Sequence, residues 1–300
     1  MQQRLIRTIE GNAALLLTLT TLSWAGNMTI GRWIAGKVPP MTLAYLRWTG
    51  ATLLVLPVAW PHLKREWRIV RAHLPALIVL GVTGSGLFNT LQYLALVHTT
   101  ATTAGIIYSS GPIMIVVMSY FLNHEKISGL QAAGIATSLL GVATVITHGS
   151  PQAITGLDLN FGDIVMLIAV AIWAFYTAYL TRRPLLHPLT FAAFTFAVAS
   201  AVNAPLAAIE LAGGAHFELT RPTALAIAYT AIFPSFLAYL FYNRGVELIG
   251  PARAGAYLHL VPFFSAALAI ALLGERPQLY HVAGFALILS GVALVARTRR

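Results

Sequence analysis

The sequence predicts an all-α membrane protein, with ten transmembrane helices arranged as two inverted five-helix repeats around a central cavity. Three observations predict it. Charged residues make up 9% of the 300 positions, against about 25% in an ordinary soluble domain, too few to coat a globule of this size in water. Apolar stretches long enough to cross a bilayer as helix (~20 residues) recur along the whole chain. Finally, FLNHEKISG at 121–129 is echoed by ALLGERPQL at 271–279, each placing a glutamate and then a cation directly after an apolar run.

The expected spans are 12–35, 41–60, 73–96, 100–122, 129–147, 161–181, 189–211, 223–246, 252–273 and 279–296. The first exceeds a signal-peptide core and lacks a cleavage site, so it is read as part of the mature chain. It carries Trp24, Asn27 and Gly31 on one face, at i, i+3 and i+7. The second holds Arg47 about seven residues in, placed either to meet a substrate charge or to snorkel to the interface. The third groups Asn89, Gln92 and Tyr93. Mid-way along the fourth, Pro112 frees the carbonyl of Tyr108. The fifth presents Gly134 and Gly141 on one face, a spacing that lets helices approach closely. The sixth repeats the aromatic face with Trp173 and Tyr176. The seventh has Thr195 where the second has Arg47, and the eighth carries Ser235, Tyr239, Tyr242 and Asn243. The ninth contains His259 and Pro262, which frees the carbonyl of Leu258. The tenth repeats the glycine face as Gly284 and Gly291, whose packing partner, the other half or another protomer, stays open. Amides and hydroxyls are costly against lipid tails, so the polar faces are expected to point inward. The connections are short, the longest being 61–72 and 148–160.

Sliding the chain against itself by 150 residues aligns 104–145 with 254–295 at 13 identities in 42 positions, including one Pro, one Glu and three Gly beyond the common apolar types. The expected halves are therefore 1–150 and 151–300. Five spans per half is an odd number, so the second half enters the membrane upside down. Inverted repeats of this kind characterise secondary transporters, whose site lies between the halves near the midplane.

Orientation follows the cations. Fourteen Lys and Arg fall on the side of the two termini, four (Arg32, Lys37, Arg221, Arg276) on the other, and Arg47 within a span. The positive-inside rule places both termini in the cytoplasm, in a cell (inner) membrane. The net charge of +10 sits in scattered ones and twos with no basic face, which argues against nucleic acid.

The segments AGIIYSSGPIMIVVMSYFLNHEKISGLQAAGIATSLLGVATV and AGAYLHLVPFFSAALAIALLGERPQLYHVAGFALILSGVALV, together with SWAGNMTIGRW and PPMTLAYLRWTGATLLVLP, resemble the EamA-type ten-helix exporters of the drug/metabolite transporter superfamily. The resemblance covers essentially the whole chain. It implies export of amino acids or related metabolites through a cavity lined by spans 1, 3, 4, 6, 8 and 9, with spans 5 and 10 as outer supports. Arg47 fits the family's second-helix arginine, and Thr195 departs from it.

The candidate substrate-cavity residues are Trp24, Asn27, Asn89, Gln92, Tyr93, Tyr108, Trp173, Tyr176, Ser235, Tyr239, Tyr242 and His259, with Pro112 and Pro262 as helix bends and Arg47 as the charge. All nine carboxylates fall near span ends or in loops, so the usual acidic proton relay is missing and His259 is the remaining titratable candidate. There is no cysteine, no pair of zinc ligands on one helix, no serine elbow and no mid-span carboxylate pair, so no catalytic residue, metal or cofactor is expected. The reading is a carrier for small zwitterionic or amphipathic solutes by alternating access, uncoupled or weakly coupled to protons, working as a monomer or weak homo-oligomer. The alternatives are an exchanger of nucleotide-sugar or drug-like solutes, a channel, and an intramembrane enzyme.

Overall fold

The structure is a computed structural model, and the residues it describes are 11–34, 36–99, 104, 107–147, 149–150, 152, 160–273 and 278–297. Glu275 and Arg276, one side of the 150-residue echo, lie outside them, as do Glu10, Asp158 and residues 100–103 of the expected fourth span.

Among the described residues ten helical stretches follow one another: α1 (Ala13–Ile34), α2 (Pro40–Ala72), α3 (74–98), α4 (Gly111–Asn123, with a helical turn from Ile107 before it), α5 (Gly129–Ile146), α6 (Phe161–Arg182), α7 (Pro188–Ala212), α8 (Arg221–Ile249), α9 (251–273) and α10 (Leu279–Arg297). Eight of them are long and apolar enough to cross a membrane, by length and composition. The other two are the helices with expected proline bends. α4 is a shorter apolar helix, broken at Ser110 just ahead of Pro112. α9 is divided by a 3-10 turn at Tyr257–His259, just ahead of Pro262. A proline frees the carbonyl four residues back and clashes with it, so the irregularity falls in the preceding turn.

The second helix corrects the expected boundary. Residues 61–72, read as a connection, continue α2 to Ala72. The extension is amphipathic: Val70 is buried and Leu63 packs on the core, while Lys64 lies over the Trp60 ring at 5.1 Å. Two helix starts carry reciprocal side-chain caps. Ser128 and Gln131 form a reciprocal capping box at α5, and Asn160 and Asp163 do the same at α6, satisfying N–H groups that have no partner within the helix. Gly250, at φ +84°, makes the tight turn from α8 into Pro251, a conformation open to glycine at little cost.

The two halves meet about a pseudo-twofold axis. A twofold brings equivalent residues of its two halves face to face on the axis, and three such pairs touch. The Trp24 and Trp173 rings lie 5.2 Å apart, edge to face. Asn89 Nδ2 donates to Tyr239 OH, and His259 Nε2 donates to the Ser109 carbonyl, both at a separation of 150.

The outer helix pairs follow the same symmetry. α5 packs on α10, and a Cβ added at Gly134 would lie 2.7 Å from the Gly291 carbonyl, one at Gly141 2.7 Å from the Gly284 carbonyl. The glycine faces therefore meet the other half of the same chain, which answers the open question of their partner. α2 packs on α7, latched at both ends. Glu210, near the end of α7, accepts the Met41 and Thr42 N–H groups (3.2 and 2.8 Å) and the Thr42 hydroxyl (2.9 Å) at the start of α2. Glu66, late in α2, accepts the His187 N–H at 3.0 Å at the start of α7. A carboxylate at a helix N-terminus complements the partial positive charge there.

Candidate functional site

Both α3 and α8 contain a seven-residue π-helical segment, Gly81–Leu87 and Ala231–Leu237, related by the 150-residue register. Such segments release carbonyls from the regular ladder and are frequent at functional sites. In lipid a released carbonyl needs a partner, and here the partners come from opposite halves. Pro234 lacks an N–H, and Ser235 Oγ donates to the Thr230 carbonyl at 2.7 Å in its place. The Pro234 carbonyl accepts Trp24 Nε1–H at 2.9 Å. The equivalent Gly84 carbonyl accepts the Tyr239 hydroxyl at 2.8 Å.

Arg47 reaches this centre from α2. It is 1% exposed, so the snorkelling alternative is corrected: its guanidinium turns inward, because neutral acceptors on α3 and α8 are arranged around it. Nε donates to Ser235 Oγ (2.8 Å), Nη1 to Asn89 Oδ1 and Tyr93 OH (3.2 Å each), and Nη2 lies 3.5 Å from the Pro234 carbonyl. It also lies 4.9 Å from the Trp48 ring centroid. Among the described residues no carboxylate comes within salt-bridge distance of it; the ion pairs found there are Arg183–Glu247 and Arg244–Glu247.

Beside this polar cluster stands an aromatic one. Trp173, 2% exposed, contacts Trp24, Phe88, Tyr176, Tyr239 and Tyr242 with ring centroids 5.0–5.8 Å apart. Tyr108 joins at its edge through Phe88. The centre, where a cavity is expected, is occupied by these side chains in this conformation.

The centre is closed unequally. Call the end where α1 starts and α10 finishes the terminal end, and the opposite one the far end. At the terminal end α6 and α8 are joined by Tyr176 OH donating to Asn243 Oδ1 (2.7 Å), by Thr177 with Tyr242 OH (3.0 Å) and by Arg183 with Glu247 (2.8 Å). Asn123 at the end of α4 adds a bond to the Ala178 carbonyl. At the far end no hydrogen bond joins α1 to α3 among the described residues, Trp24 and Tyr93 are half-buried, and the Asn27 Oδ1 is buried without a partner.

The structure thus brings together Trp24, Asn89, Tyr93, Trp173, Tyr176, Ser235, Tyr239, Tyr242 and Arg47. Gln92 is buried on the same stretch of α3. His259 stands apart. Its Nε2–H is committed to the Ser109 carbonyl, leaving Nδ1 as an acceptor 2.5 Å from Ser138 Oγ, so it ties α9 to α4 and α5. Pro112 is buried at the start of α4 and Pro262 half-buried in α9. Sequence reasoning missed Pro234, Gly84, Trp48 and Phe88. The one available signal was Pro234, an intramembrane proline that, like Pro57 and Pro205, has no counterpart at the 150-residue offset that pairs Pro112 with Pro262. A Cβ at Gly84 would run into the Tyr176 ring, so this glycine is what allows the ring to seal against α3.

A helical bundle of two inverted halves, meeting at a buried aromatic centre with a polar rim, is the architecture of a multi-pass membrane transporter. The chain belongs to the EamA-like transporter family, whose profile matches residues 11–147 and again 160–297. It is 29% identical to an uncharacterised transporter of Archaeoglobus fulgidus, over 93% of this chain and 96% of that one. It is 26% identical to a probable terminal-alkyne amino-acid exporter of Streptantibioticus cattleyicolor, over 94% and 92%. A solved structure with 20% sequence identity superimposes with a TM-score of 0.77, covering 94% of this chain and 95% of the other, and shares the fold.

Proposed function

We propose that this transporter is a secondary carrier that exports amino acids or related small metabolites by alternating access. The observation that carries the reading is the unequal closure of the centre. α6 and α8 are bonded at the terminal end, whereas their counterparts α1 and α3 share no hydrogen bond at the far end among the described residues. Two inverted halves that exchange these roles would expose one site to each side in turn. The aromatic cluster suits an apolar side chain, and Arg47, Asn89, Tyr93 and Ser235 suit a polar end, the usual division of a small-molecule site. The name of the Streptantibioticus relative points the same way. The fourteen-to-four distribution of cations supports a cytoplasmic terminal end in a cell inner membrane. Membership of a transporter family points away from an enzyme. The commitment of both His259 ring nitrogens to fixed partners and the placement of the carboxylates near span ends support transport without an obligatory proton.

The test is counterflow in proteoliposomes loaded with unlabelled amino acid. Uptake of labelled amino acid is expected to be saturable, trans-stimulated and maintained without a pH gradient. Flux that is linear in concentration and blind to the internal solute would make the protein a channel. Strict dependence on an imposed pH gradient would contradict uncoupled transport.

A further inference from the structure

We propose that Arg47 is the anchor for a substrate carboxylate, and that binding it releases Tyr93 to close the far end against Asn27. This rests on the carrier reading and adds a substrate chemistry and a coupling step. The guanidinium is buried, and among the described residues its partners are all neutral. A charge buried without a counter-ion is costly to hold. The duplication does not impose this one, since Thr195 stands at the related position and bonds only within its own helix. A lone cation suits a single carboxylate. The charge-assisted, bidentate pair that results is stronger than hydrogen bonds to a phenol and an amide, so the carboxylate displaces Tyr93 from Nη1.

The pseudo-twofold says where the freed Tyr93 goes. The Trp24–Trp173 and Asn89–Tyr239 contacts set the register of α1 on α6 and of α3 on α8. In that register Asn27 corresponds to Tyr176 and Tyr93 to Asn243. Tyr176 and Asn243 form the 2.7 Å bond that shuts the terminal end. The far end holds the same two residue types exchanged between helices, and their bond is unmade: the Asn27 Oδ1 is buried with no partner, and Tyr93 OH is held by Arg47 at 3.2 Å. The Tyr93 hydroxyl donating to Asn27 Oδ1 would mirror the terminal closure, and the substrate itself supplies the trigger.

The experiment uses counterflow with the twenty common L-amino acids and, for the best of them, its amide and its decarboxylated amine. The wild type is expected to favour the free acid by about tenfold or more, because the other two leave the cation unpaired. Arg47→Gln removes that preference and Arg47→Lys retains it. Tyr93→Phe lowers KM, since a competitor for Arg47 is gone, and lowers Vmax, since the closing bond is lost; Asn27→Ala lowers Vmax without lowering KM. Equal, saturable transport of acid, amide and amine by the wild type would overturn the anchor and leave the carrier reading standing. Absence of saturable flux for the whole panel would overturn the carrier reading itself. Unchanged KM and Vmax in Tyr93→Phe would overturn the gate. Should Arg47→Gln not fold, the wild-type comparison of acid with amide decides the anchor alone.

Discussion

Pro234 cannot give the Thr230 carbonyl an α-helical donor, and the neighbouring Ser235 hydroxyl bonds that carbonyl while accepting the Arg47 Nε–H. One oxygen thus satisfies two buried groups. Ser235→Ala is expected to strip the Arg47 Nε–H of its acceptor and the Thr230 carbonyl of its hydroxyl donor, and to lower stability by about 1–3 kcal/mol, read as a fall in Tm in detergent; Ser235→Thr, which keeps the hydroxyl, should recover most of the loss. At this scale the sequence was informative where helical spacing fixes direction. Trp24 and Trp173 could be placed on inward faces because neighbouring polar residues share their side of the helix. Arg47 was not legible. Seven residues into a span, its long side chain can reach the interface or the centre, and the acceptors that decide, Asn89, Tyr93 and Ser235, come from helices distant in sequence. His259 misled for a similar reason, since its partners Ser109 and Ser138 lie more than a hundred residues away.

The elements show where hydropathy stops being informative. Apolar run length locates most helices, but it carries nothing about backbone register, so the π segments at Gly81–Leu87 and Ala231–Leu237 left no trace. Nor did the continuation of α2 past Pro61, where the pattern changes from apolar to amphipathic without a break. The latch between α2 and α7 is read only in three dimensions. Glu66→Gln and Glu210→Gln each weaken a charged helix cap worth about 0.3–1 kcal/mol, rising to about 2 when partly buried; the two losses should add, because the caps sit at opposite ends of the pair. The Glu66 end also responds to pH. His187 Nδ1 accepts the Leu189 N–H, and its ring stacks on His62 with centroids 3.7 Å apart. Burial lowers the His187 pKa below its usual 6.5, the His62 ring lowers it further and Glu66 opposes both. A lowered imidazole pKa gives stability that is complete above the ordinary value and lost as the pH falls through the folded-state value. Thermal melts from pH 8 to pH 5 should therefore show the wild type losing stability relative to His187→Asn, which caps α7 at any pH. Parallel curves would show that the ring nitrogen is not the acceptor that matters.

For the molecule as a whole, duplication was the most legible property. Pro112 and Pro262, and the glycines of α5 and α10, recur in one register because the same bends and close approaches are needed twice. The glycine contacts hold the halves together, so Gly141→Leu is expected to force α5 from α10 at a cost of about 1–3 kcal/mol and to lower Tm. Gly31→Ala, with nothing within 4 Å of its added carbon, should be silent. What sequence could not supply was conformation, because the end that is closed depends on which of two near-equivalent sets of contacts is made. The exchange of those sets is the centre of the mechanism, and the absence of cysteine makes it measurable by spin labels. Pairs at Arg182 and Leu248 report the terminal ends of α6 and α8; pairs at Trp33 and His98 report the far ends of α1 and α3. Without substrate the first distance is expected to be short and the second long, and saturating amino acid should populate the reverse. Two distances that move together, or that both stay fixed while transport is running, would contradict it.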